Sequence, residues 1–365
     1  MELLLSDEQK ILRDSAARFA ERKAGPKAAR AQRTMETGYD SAIMGEAAES
    51  GWLGILAPES ADGLGLGLTE LALVLEQAGR GLVTAPILAT AVSARTIAEG
   101  DGAELRDKVL PGLMAGKSIV LPAMGDVTTH TLKATDGKNG GLALNGQMEA
   151  VPTAAGADGF IFGLHGPKGD VLAYVPANAQ GLKATTRRTV DGGSLTTLTL
   201  SNAAIPASQI IAGPNRAPAL GAAMYESMLV GTGAELLGVM GRALDIALDY
   251  LKVRKQFDRP IGSFQALQHR AVDEYIEVET TRSLVFEACA AMDAGRGHTA
   301  MAHAVKAKAS GSALAVCKAA IQLHGAIGFT DEHDIGLYLK RAMALSSAYG
   351  NGSFHRARLA QGLVV

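Results

Sequence analysis

The sequence predicts an α+β multidomain fold with an N-terminal helical domain, a middle antiparallel β domain and a C-terminal helical bundle. Hydrophobic residues recur with helical spacing from residue 6 to about 115. Short β-type runs, bounded by Gly, Asp, Asn and Pro, fill residues 117 to 212, and long helical patterns return from about 215. The 365 residues exceed the ~250–300 that one core organises, so we expect domains over residues 1–115, 116–213 and 214–365.

The first domain begins with a helix-start signature. Ser6 and Gln9 have the spacing of a capping box, and apolar residues that include Ile11 and Phe19 follow on one helix face. Further helical patterns follow in TELALVLEQAG and TAPILATAVSARTIAE. The glycine-rich DGLGLGLTE lacks the preceding strand and spacing of a dinucleotide fingerprint, and the GK[ST] end of a phosphate loop. We interpret it as a loop that leads into a helix.

Five β-type runs define the middle domain. They are separated by turn residues at intervals typical of antiparallel sheets or a small barrel. The runs are SIVLPA, GLALNGQ, GFIFGL, DVLAYVP and TTLTLSN.

The C-terminal domain is predicted to contain long helices over about 218–253, 263–294, 299–324 and 334–348. The first of them carries interior glycines at Gly231, Gly233, Gly238 and Gly241. Since an interior glycine costs ~1 kcal/mol relative to alanine, this pattern indicates close helix contacts in an antiparallel bundle.

Composition argues against several functional classes. A formal charge of −2 provides no positive field for nucleic acid, and charges or glycines interrupt every apolar run before the ~18 residues of a membrane span. The first ten residues contain acidic side chains and no basic leader, so we expect a cytoplasmic protein. No HExxH, CxxC or GxSxG motif is present, so no metal site or hydrolytic site is expected. Cys289 and Cys317 are interpreted as buried, reduced thiols.

The most informative segment runs from Asp249 to Asp273, DYLKVRKQFDRPIGSFQALQHRAVD. Its plain interpretation is a charged helix end followed by a turn, because basic residues are favoured at helix C-termini. It also offers the Arg254 guanidinium for phosphate oxygens, the Phe257 ring for stacking, and side-chain amides at Gln265 and Gln268. Both interpretations predict a helix–turn–helix.

This segment resembles the signature R-x-x-F-G-x-x-[IL]-x-x-x-Q of the acyl-CoA dehydrogenase family. About seventy residues later, QLHGAIGFTDEHDIGLYLKRA resembles the Q-x-x-G-G-x-G-[FY] segment of the same family. The stretch GWLGILAPESADGLGLGLTELALVLEQAGRGL is similar to the first domain of that family. The resemblance extends over nearly the whole chain. It implies the acyl-CoA dehydrogenase fold, with a C-terminal four-helix bundle that drives tetramer formation.

The resemblance also implies FAD as the cofactor. By motif position, Arg254 contacts the FAD pyrophosphate and Phe257 lies against the adenine end. Three residues follow along the dinucleotide, namely Ile261, Phe264 and Gln265. Three others approach it from a neighbouring subunit, namely Gln322, Gly325 and Ala326. The T-E-P-x-x-G-S-D run that touches the flavin ring in relatives corresponds here to VLPAMGDVTTH, residues 120–130, which keeps the Pro and Gly-Asp elements but not the acidic-hydroxyl pattern.

The family reaction needs a carboxylate base in a water-poor pocket. Many members carry it as the glutamate of a Y-E-G-T loop, and aligned on Tyr349 that position is Gly350. A second family location falls at Met228, which is not acidic either. The nearby candidates in this chain are Glu235, the preferred one, and Glu226. The alternative for each is an ordinary helix carboxylate that is solvated or paired.

The resemblance implies FAD-dependent α,β-dehydrogenation of an acyl-CoA thioester to the 2-enoyl-CoA, with electrons passed to an electron-transfer flavoprotein. The block HGAIGFTDEHDIGLYLKRA is closest to a subgroup that forms α2β2 heterotetramers on steroid side chains, although a homotetramer is also open. In such heterotetramers one subunit keeps the base. A non-catalytic or cofactor-supporting subunit is therefore the alternative, and an oxidase that reduces O₂ is a third.

Overall fold

A computed structural model of the protein describes residues 5–125 and 131–363. The helices of the N-terminal part are α1 Asp7–Lys23, α2 Pro26–Gln32, α3 Ser41–Glu49, α4 Leu68–Arg80, α5 Ile87–Ala98 and α6 Ala103–Met114. The C-terminal part contains α7 Ala217–Val253, α8 Gln265–Asp293, α9 Thr299–His324, α10 Ile335–Ser347 and α11 Gly352–Leu363. The predicted order of helical, β and helical regions is confirmed.

The described residues form two compact units. One contains those of Met1–Ala31, Ala72–Val83 and Leu229–Val365, and the other contains those of Gln32–Leu71 and Thr84–Met228. Both units take segments from distant parts of the sequence. The division into domains at residues 115 and 213 therefore stays a prediction.

Two four-stranded sheets form the middle region. The strands are β1 Val120–Pro122, β2 Lys133–Asp136, β3 Leu142–Pro152, β4 Gly159–Gly166, β5 Gly169–Pro176, β6 Leu182–Arg188, β7 Ser194–Ile205 and β8 Ile210–Ala212. The sheets have the orders β1-β4-β5-β8 and β2-β3-β7-β6. Pairing is antiparallel except between β1 and β4, which run parallel. The five predicted runs lie on β1, β3, β4, β5 and β7.

Glycine contacts bring helix backbones together in the first unit. A Cβ on Gly79 of α4 would overlap the Glu235 carbonyl oxygen of α7, and a Cβ on Gly238 would overlap the Glu76 carbonyl oxygen of α4. A Cβ on Gly233 would likewise reach within 2.5 Å of Val305 on α9. Side chains at these positions would push the helices apart. The predicted close packing of the glycine-bearing helix is confirmed.

The first helix begins as the sequence predicts. The Gln9 amide donates to Ser6 Oγ at 3.2 Å, and the Ser6 amide donates to Gln9 Oε1 at 3.0 Å, which completes the capping box. Phe19 is buried, whereas Ile11 is 67% exposed, so the predicted apolar face is only partly covered within this chain. Both cysteine thiols are buried, as expected.

One helical stretch in the described part of the chain, Thr299–Phe329, is long and apolar enough to cross a membrane, with a mean hydropathy of 1.3. Half of that window is buried inside the protein, and core helices of soluble proteins commonly share this composition. The stretch packs against α8, α10 and α11.

Candidate functional site

The signature segment folds as a short hairpin at the end of α7. Strands β9 Lys255–Gln256 and β10 Arg259–Pro260 pair in antiparallel fashion. The two residues of the turn, Phe257 and Asp258, both have left-handed backbones, with φ of 53° and 63°. Two consecutive left-handed residues define a tight turn that usually contains Asn-Gly. The family signature has glycine where this chain has Asp258, so the turn is strained here.

The hairpin presents an aromatic and cationic surface. The Phe257 side chain is 86% exposed at the tip, and its ring meets that of Phe264 edge-on with centroids 6.1 Å apart. The Arg259 guanidinium lies 4.1 Å from the Phe264 ring centroid. The Arg254 side chain is exposed, while its carbonyl accepts from the Ile261 amide at 2.8 Å and so closes the hairpin base. Exposed rings and guanidinium groups suit stacking with a base and contact with phosphate.

The second signature segment lies at the end of α9. Gln322, Gly325 and Ala326 are exposed. Gly325 has φ 67° and ψ −144°, a conformation that is essentially restricted to glycine, and no other atom lies within 4 Å of the place a Cβ would take. The backbone there is open to close approach by a ligand.

A stack of rings joins the two segments. Tyr250, in the last turn of α7, stacks on His324 with ring centroids 4.5 Å apart. The centroid of the His333 ring lies 4.3 Å from that of His324. His324 is buried; its Nδ1 donates to the Ala320 carbonyl at 2.7 Å, and its Nε2 is buried with no hydrogen-bond partner among the described residues. Burial lowers the pKa of His324, which favours the neutral ring. Sequence reasoning missed this stack because the three rings belong to no common motif.

These groups fit a dinucleotide. Exposed guanidinium, aromatic and amide side chains, together with an open glycine backbone, are the chemistry that phosphate, adenine and ribose require. The individual contacts of Arg254, Phe257, Ile261, Phe264 and Gln265, and those of Gln322, Gly325 and Ala326, stay predictions. The flavin-ring segment is only partly described: Val120–Pro122 form β1, whereas residues 126–130 lie outside the described residues.

The structure places Glu235 in a buried ion pair. Its side chain is 8% exposed, and Oε1 accepts from Arg341 Nε at 3.0 Å and also from Arg341 Nη2. Arg341, itself buried on α10, donates through Nη2 to the Val83 carbonyl at 3.3 Å. The pair therefore ties α10 to α7 and to the residues that follow α4. A neighbouring guanidinium stabilises the carboxylate as an anion, so a proton transfer to Glu235 must compete with this pairing.

The other helix positions differ in burial. Met228 is fully buried and apolar, and Glu226 is half-buried with a partner of its own. The role of Glu226 as the catalytic base, like that of Glu235, stays a prediction. The described residues contain no group of three or more His, Cys, Asp or Glu side chains that could hold a metal ion.

Gly350 occupies a strained, crowded turn. The loop between α10 and α11, residues 348–351, has Tyr349 at φ 59° and Gly350 at φ 105°. A Cβ on Gly350 would lie 2.6 Å from the Phe354 ring and 3.0 Å from His355 Nε2. The amide of Phe354 donates to Asn351 Oδ1 at 2.9 Å, which starts α11. The predicted turn is therefore present, although a helix that the sequence did not predict follows it.

We expect Gly350→Glu to destabilise the protein by about 1–2 kcal/mol without supplying a base, because a side chain there meets both an unfavourable φ and two rings. Chemical or thermal unfolding measures the loss. Gly336→Glu is the matched control, because no atom lies within 4 Å of its Cβ position and its φ is ordinary. Equal stability of the two variants would contradict the crowding at Gly350.

Comparisons with known proteins agree with these segments. Residues 6–117 match the acyl-CoA dehydrogenase N-terminal domain, and residues 226–364 match the acyl-CoA dehydrogenase C-terminal domain. The acyl-CoA dehydrogenase IpdE2 of Mycobacterium tuberculosis is 30% identical over 342 residues, which cover 92% of this chain and 91% of that protein. IpdE2 of Mycolicibacterium smegmatis is 29% identical, with coverage of 95% and 96%.

A solved structure shares the fold throughout. The Tcur3481-Tcur3483 steroid ACAD, in a variant with one glycine replaced by alanine, superimposes with a TM-score of 0.90 and 31% sequence identity. The superposition covers 98% of this chain and 99% of the other. The N-terminal helices, central sheets and C-terminal helices of this chain therefore match the fold of that protein.

Proposed function

The chain belongs to the acyl-CoA dehydrogenase family, a family of flavoprotein oxidoreductases, and we propose that it takes part in FAD-dependent α,β-dehydrogenation of an acyl-CoA thioester. The observation that supports this most directly is the exposed hairpin that follows α7. It carries Arg254 and Phe257, the arginine and the phenylalanine of the family's cofactor signature, and the glycine turn after α9 carries a second signature.

The chain's own residues have distinct roles in this proposal. Arg254 binds the pyrophosphate, Phe257 offers its ring to the adenine end, Phe264 follows along the dinucleotide, and the open backbone at Gly325 allows close approach. These residues would hold FAD, which would supply the hydride acceptor for the hydrogen on the β-carbon of the acyl group. The remaining requirement is a carboxylate that accepts the α-proton.

Glu235 is our proposed proton acceptor within this chain, and Glu226 is the second candidate. Burial excludes water from Glu235, which strengthens every charge interaction around it. Proton transfer requires that the carboxylate exchange its contact with Arg341 for the proton. The arginine then stays fixed by the Val83 carbonyl. A bulky acyl group is the proposed substrate, by similarity to the 31% identical steroid ACAD.

The glycine at residue 350 favours a second candidate function, a cofactor-supporting subunit of a heteromeric enzyme. A side chain at residue 350 would crowd the Phe354 ring and His355, and this chain lacks the glutamate that many relatives carry there, so a homologous partner would supply the base. The similar Tcur3481-Tcur3483 protein carries two component names, which supports assembly of this chain with a second, different chain. We also propose an electron-transfer flavoprotein as the electron acceptor and a cytoplasmic location; a homotetramer is the alternative assembly.

The decisive experiment compares the chain purified alone with the chain co-purified with a homologous subunit. We expect a yellow protein whose flavin absorbance near 450 nm bleaches on anaerobic addition of a steroid-side-chain acyl-CoA, with the enoyl-CoA as product. Bleaching by the chain alone supports Glu235 as base, and bleaching only in the complex supports the subunit role. If none of the acyl-CoA substrates reduces the flavin bound to the complex, the proposed function is wrong. Release of hydrogen peroxide in air would indicate an oxidase.

A further inference from the structure

A lysine lies fully buried beneath the Gly350 turn. Lys306 of α9 has no exposed surface, and its Nζ donates three hydrogen bonds. The acceptors are Ser310 Oγ at 3.1 Å, the Ser346 carbonyl at 3.1 Å and the Gly350 carbonyl at 3.0 Å. An ammonium group has three N–H donors, so every donor is used. All three acceptors are neutral, which is unusual for a buried cation.

The acceptors belong to three elements that meet at the loop. Ser310 lies one turn further along α9, Ser346 lies in the last turn of α10, and Gly350 lies in the loop itself. Ser346 Oγ also donates to the Ser310 carbonyl at 3.2 Å, so α9 and α10 are joined beside the lysine. Lys306 therefore fixes the backbone on both sides of Tyr349.

Two histidines complete the cluster around Lys306. His303, one turn before it on α9, meets His355 of α11 with their Nδ1 atoms 2.7 Å apart, so one ring donates and the other accepts. Burial, followed by the charges of Lys306 and His303, lowers the pKa of His355 to about 3. Burial and the charge of Arg358 lower the pKa of His303. Burial lowers the pKa of Lys306 to about 7, so the lysine is the member of this cluster that changes charge near neutrality.

Tyr349 links the loop to the Glu235–Arg341 pair. Burial and then the Glu235 carboxylate raise the pKa of the Tyr349 hydroxyl, while the Arg341 guanidinium lowers it. The tyrosine is thus within electrostatic reach of both partners. Its left-handed backbone, φ 59°, persists only while the surrounding structure holds it. The hydrogen bonds of Lys306 to the residues on either side of Tyr349 provide that constraint.

We propose that Lys306 is a positioning residue that holds the 348–351 loop and keeps Tyr349 beside the Glu235–Arg341 pair. The inference concerns the environment of the proposed base, so its catalytic consequence rests on the proposed function. Its structural content does not. Removing the ammonium frees two carbonyl groups and one hydroxyl at once, and Tyr349 loses the backbone support on both sides.

Tyr349 can be observed directly by fluorine NMR of protein labelled with 3-fluorotyrosine. The chain has seven tyrosines, and the signal that disappears in Tyr349→Phe identifies residue 349. In the wild-type chain we expect this signal to shift with a midpoint near pH 7, following the Lys306 charge. In Lys306→Met we expect a displaced signal with no such titration. An unchanged, still titrating signal in a folded Lys306→Met protein would overturn the proposal.

Lys308→Met is the matched control, because Lys308 lies on the same helix and pairs with Glu277 at 2.7 Å in a half-exposed position. It should leave the Tyr349 signal and its midpoint unchanged. Ser310→Ala is the second variant, in case Lys306→Met does not fold. It removes one acceptor from the ammonium, which disfavours the charged form, so the midpoint should move to lower pH. A fixed midpoint in Ser310→Ala would also overturn the proposal.

Stability and turnover give separate measurements. The folded-state pKa of Lys306, about 7, lies below the ordinary 10.5. At pH values between these two, the lysine is protonated in the unfolded chain and neutral in the folded chain. Native stability should therefore rise with pH over this window, and Lys306→Met should lack that part of the rise.

With acyl-CoA, Lys306→Met should lower kcat by about tenfold or more at unchanged flavin content, since misplacement of a catalytic group has costs of this order. A Tyr349 fluorine signal that is unchanged in Lys306→Met contradicts the positioning role, whereas wild-type protein without turnover contradicts only the proposed function.

Discussion

Arg254→Ala is expected to yield a folded protein that purifies with little or no flavin. The Arg254 side chain is exposed at the end of α7, so its removal leaves no cavity in the core. Its proposed role is a charged hydrogen bond to the FAD pyrophosphate, and bonds of this kind contribute about 1.5–3 kcal/mol. The expected loss is therefore about 10- to 150-fold in FAD affinity. Titration of the apoprotein with FAD, followed by absorbance or fluorescence, measures it.

Lys252→Ala is the matched control for this loss. Lys252 lies two residues before Arg254, is also exposed, and pairs with Asp249 at 3.1 Å along the helix. It removes the same charge from the same helix end without touching the signature. If both variants lose affinity equally, the effect comes from general electrostatics rather than from the predicted phosphate contact. If neither does, the placement of Arg254 on the pyrophosphate is wrong.

The long helices could be predicted from sequence because their apolar periodicity extends over many turns. The predicted 299–324 matches α9, and the predicted 218–253 begins one residue after α7 does. Strand β6 could not be predicted in this way, since six of its seven residues are exposed and carry no alternation. Helix α11 begins at Gly352, in a stretch with the composition of a helix stop, so the stop signal obscured it. Local patterns predict an element only where burial imposes them.

Only part of the candidate site could be predicted from the sequence, for the same reason. Its cofactor residues could be named because they occupy fixed positions in two short motifs. The partners of the candidate base could not, because Arg341 is 106 residues from Glu235 in sequence and only the folded chain brings them together. The same is true of Lys306 and Gly350, which are 44 residues apart. Charge pairing in a core depends on tertiary structure, and no spacing rule predicts it.

Arg341→Met is expected to destabilise the protein by about 3–5 kcal/mol, because it leaves the Glu235 carboxylate buried without its partner. The Val83 carbonyl also loses a donor. Denaturant unfolding measures the loss. The comparison variant is Arg80→Met: Arg80 pairs with Asp245 at 2.5 Å, but both side chains are partly exposed, so its loss should cost about 1 kcal/mol or less. Equal losses in the two variants would contradict a buried Glu235–Arg341 pair.

The double variant Glu235→Leu with Arg341→Met tests whether the loss comes from the unpaired charge. Replacing a buried ion pair by apolar residues of similar size is often close to neutral, so the double variant should recover much of the stability lost by Arg341→Met alone. If the double variant is as unstable as Arg341→Met, packing rather than charge explains the effect. Recovery of stability gives a folded protein that lacks the candidate carboxylate.

Glu235→Gln separates catalysis from structure. A glutamine keeps the size and can still accept from Arg341, although the buried guanidinium loses its counter-charge, so stability should fall by less than in Arg341→Met. If Glu235 is the base, turnover should fall by about 10²- to 10⁴-fold, the usual contribution of a general base, while flavin content stays unchanged. If the carboxylate only holds α7 and α10 together, turnover should follow the modest change in stability. Full turnover by Glu235→Gln within a heteromeric complex would place the base in the partner. That outcome would agree with the crowded turn at Gly350, where this chain lacks the glutamate of many relatives.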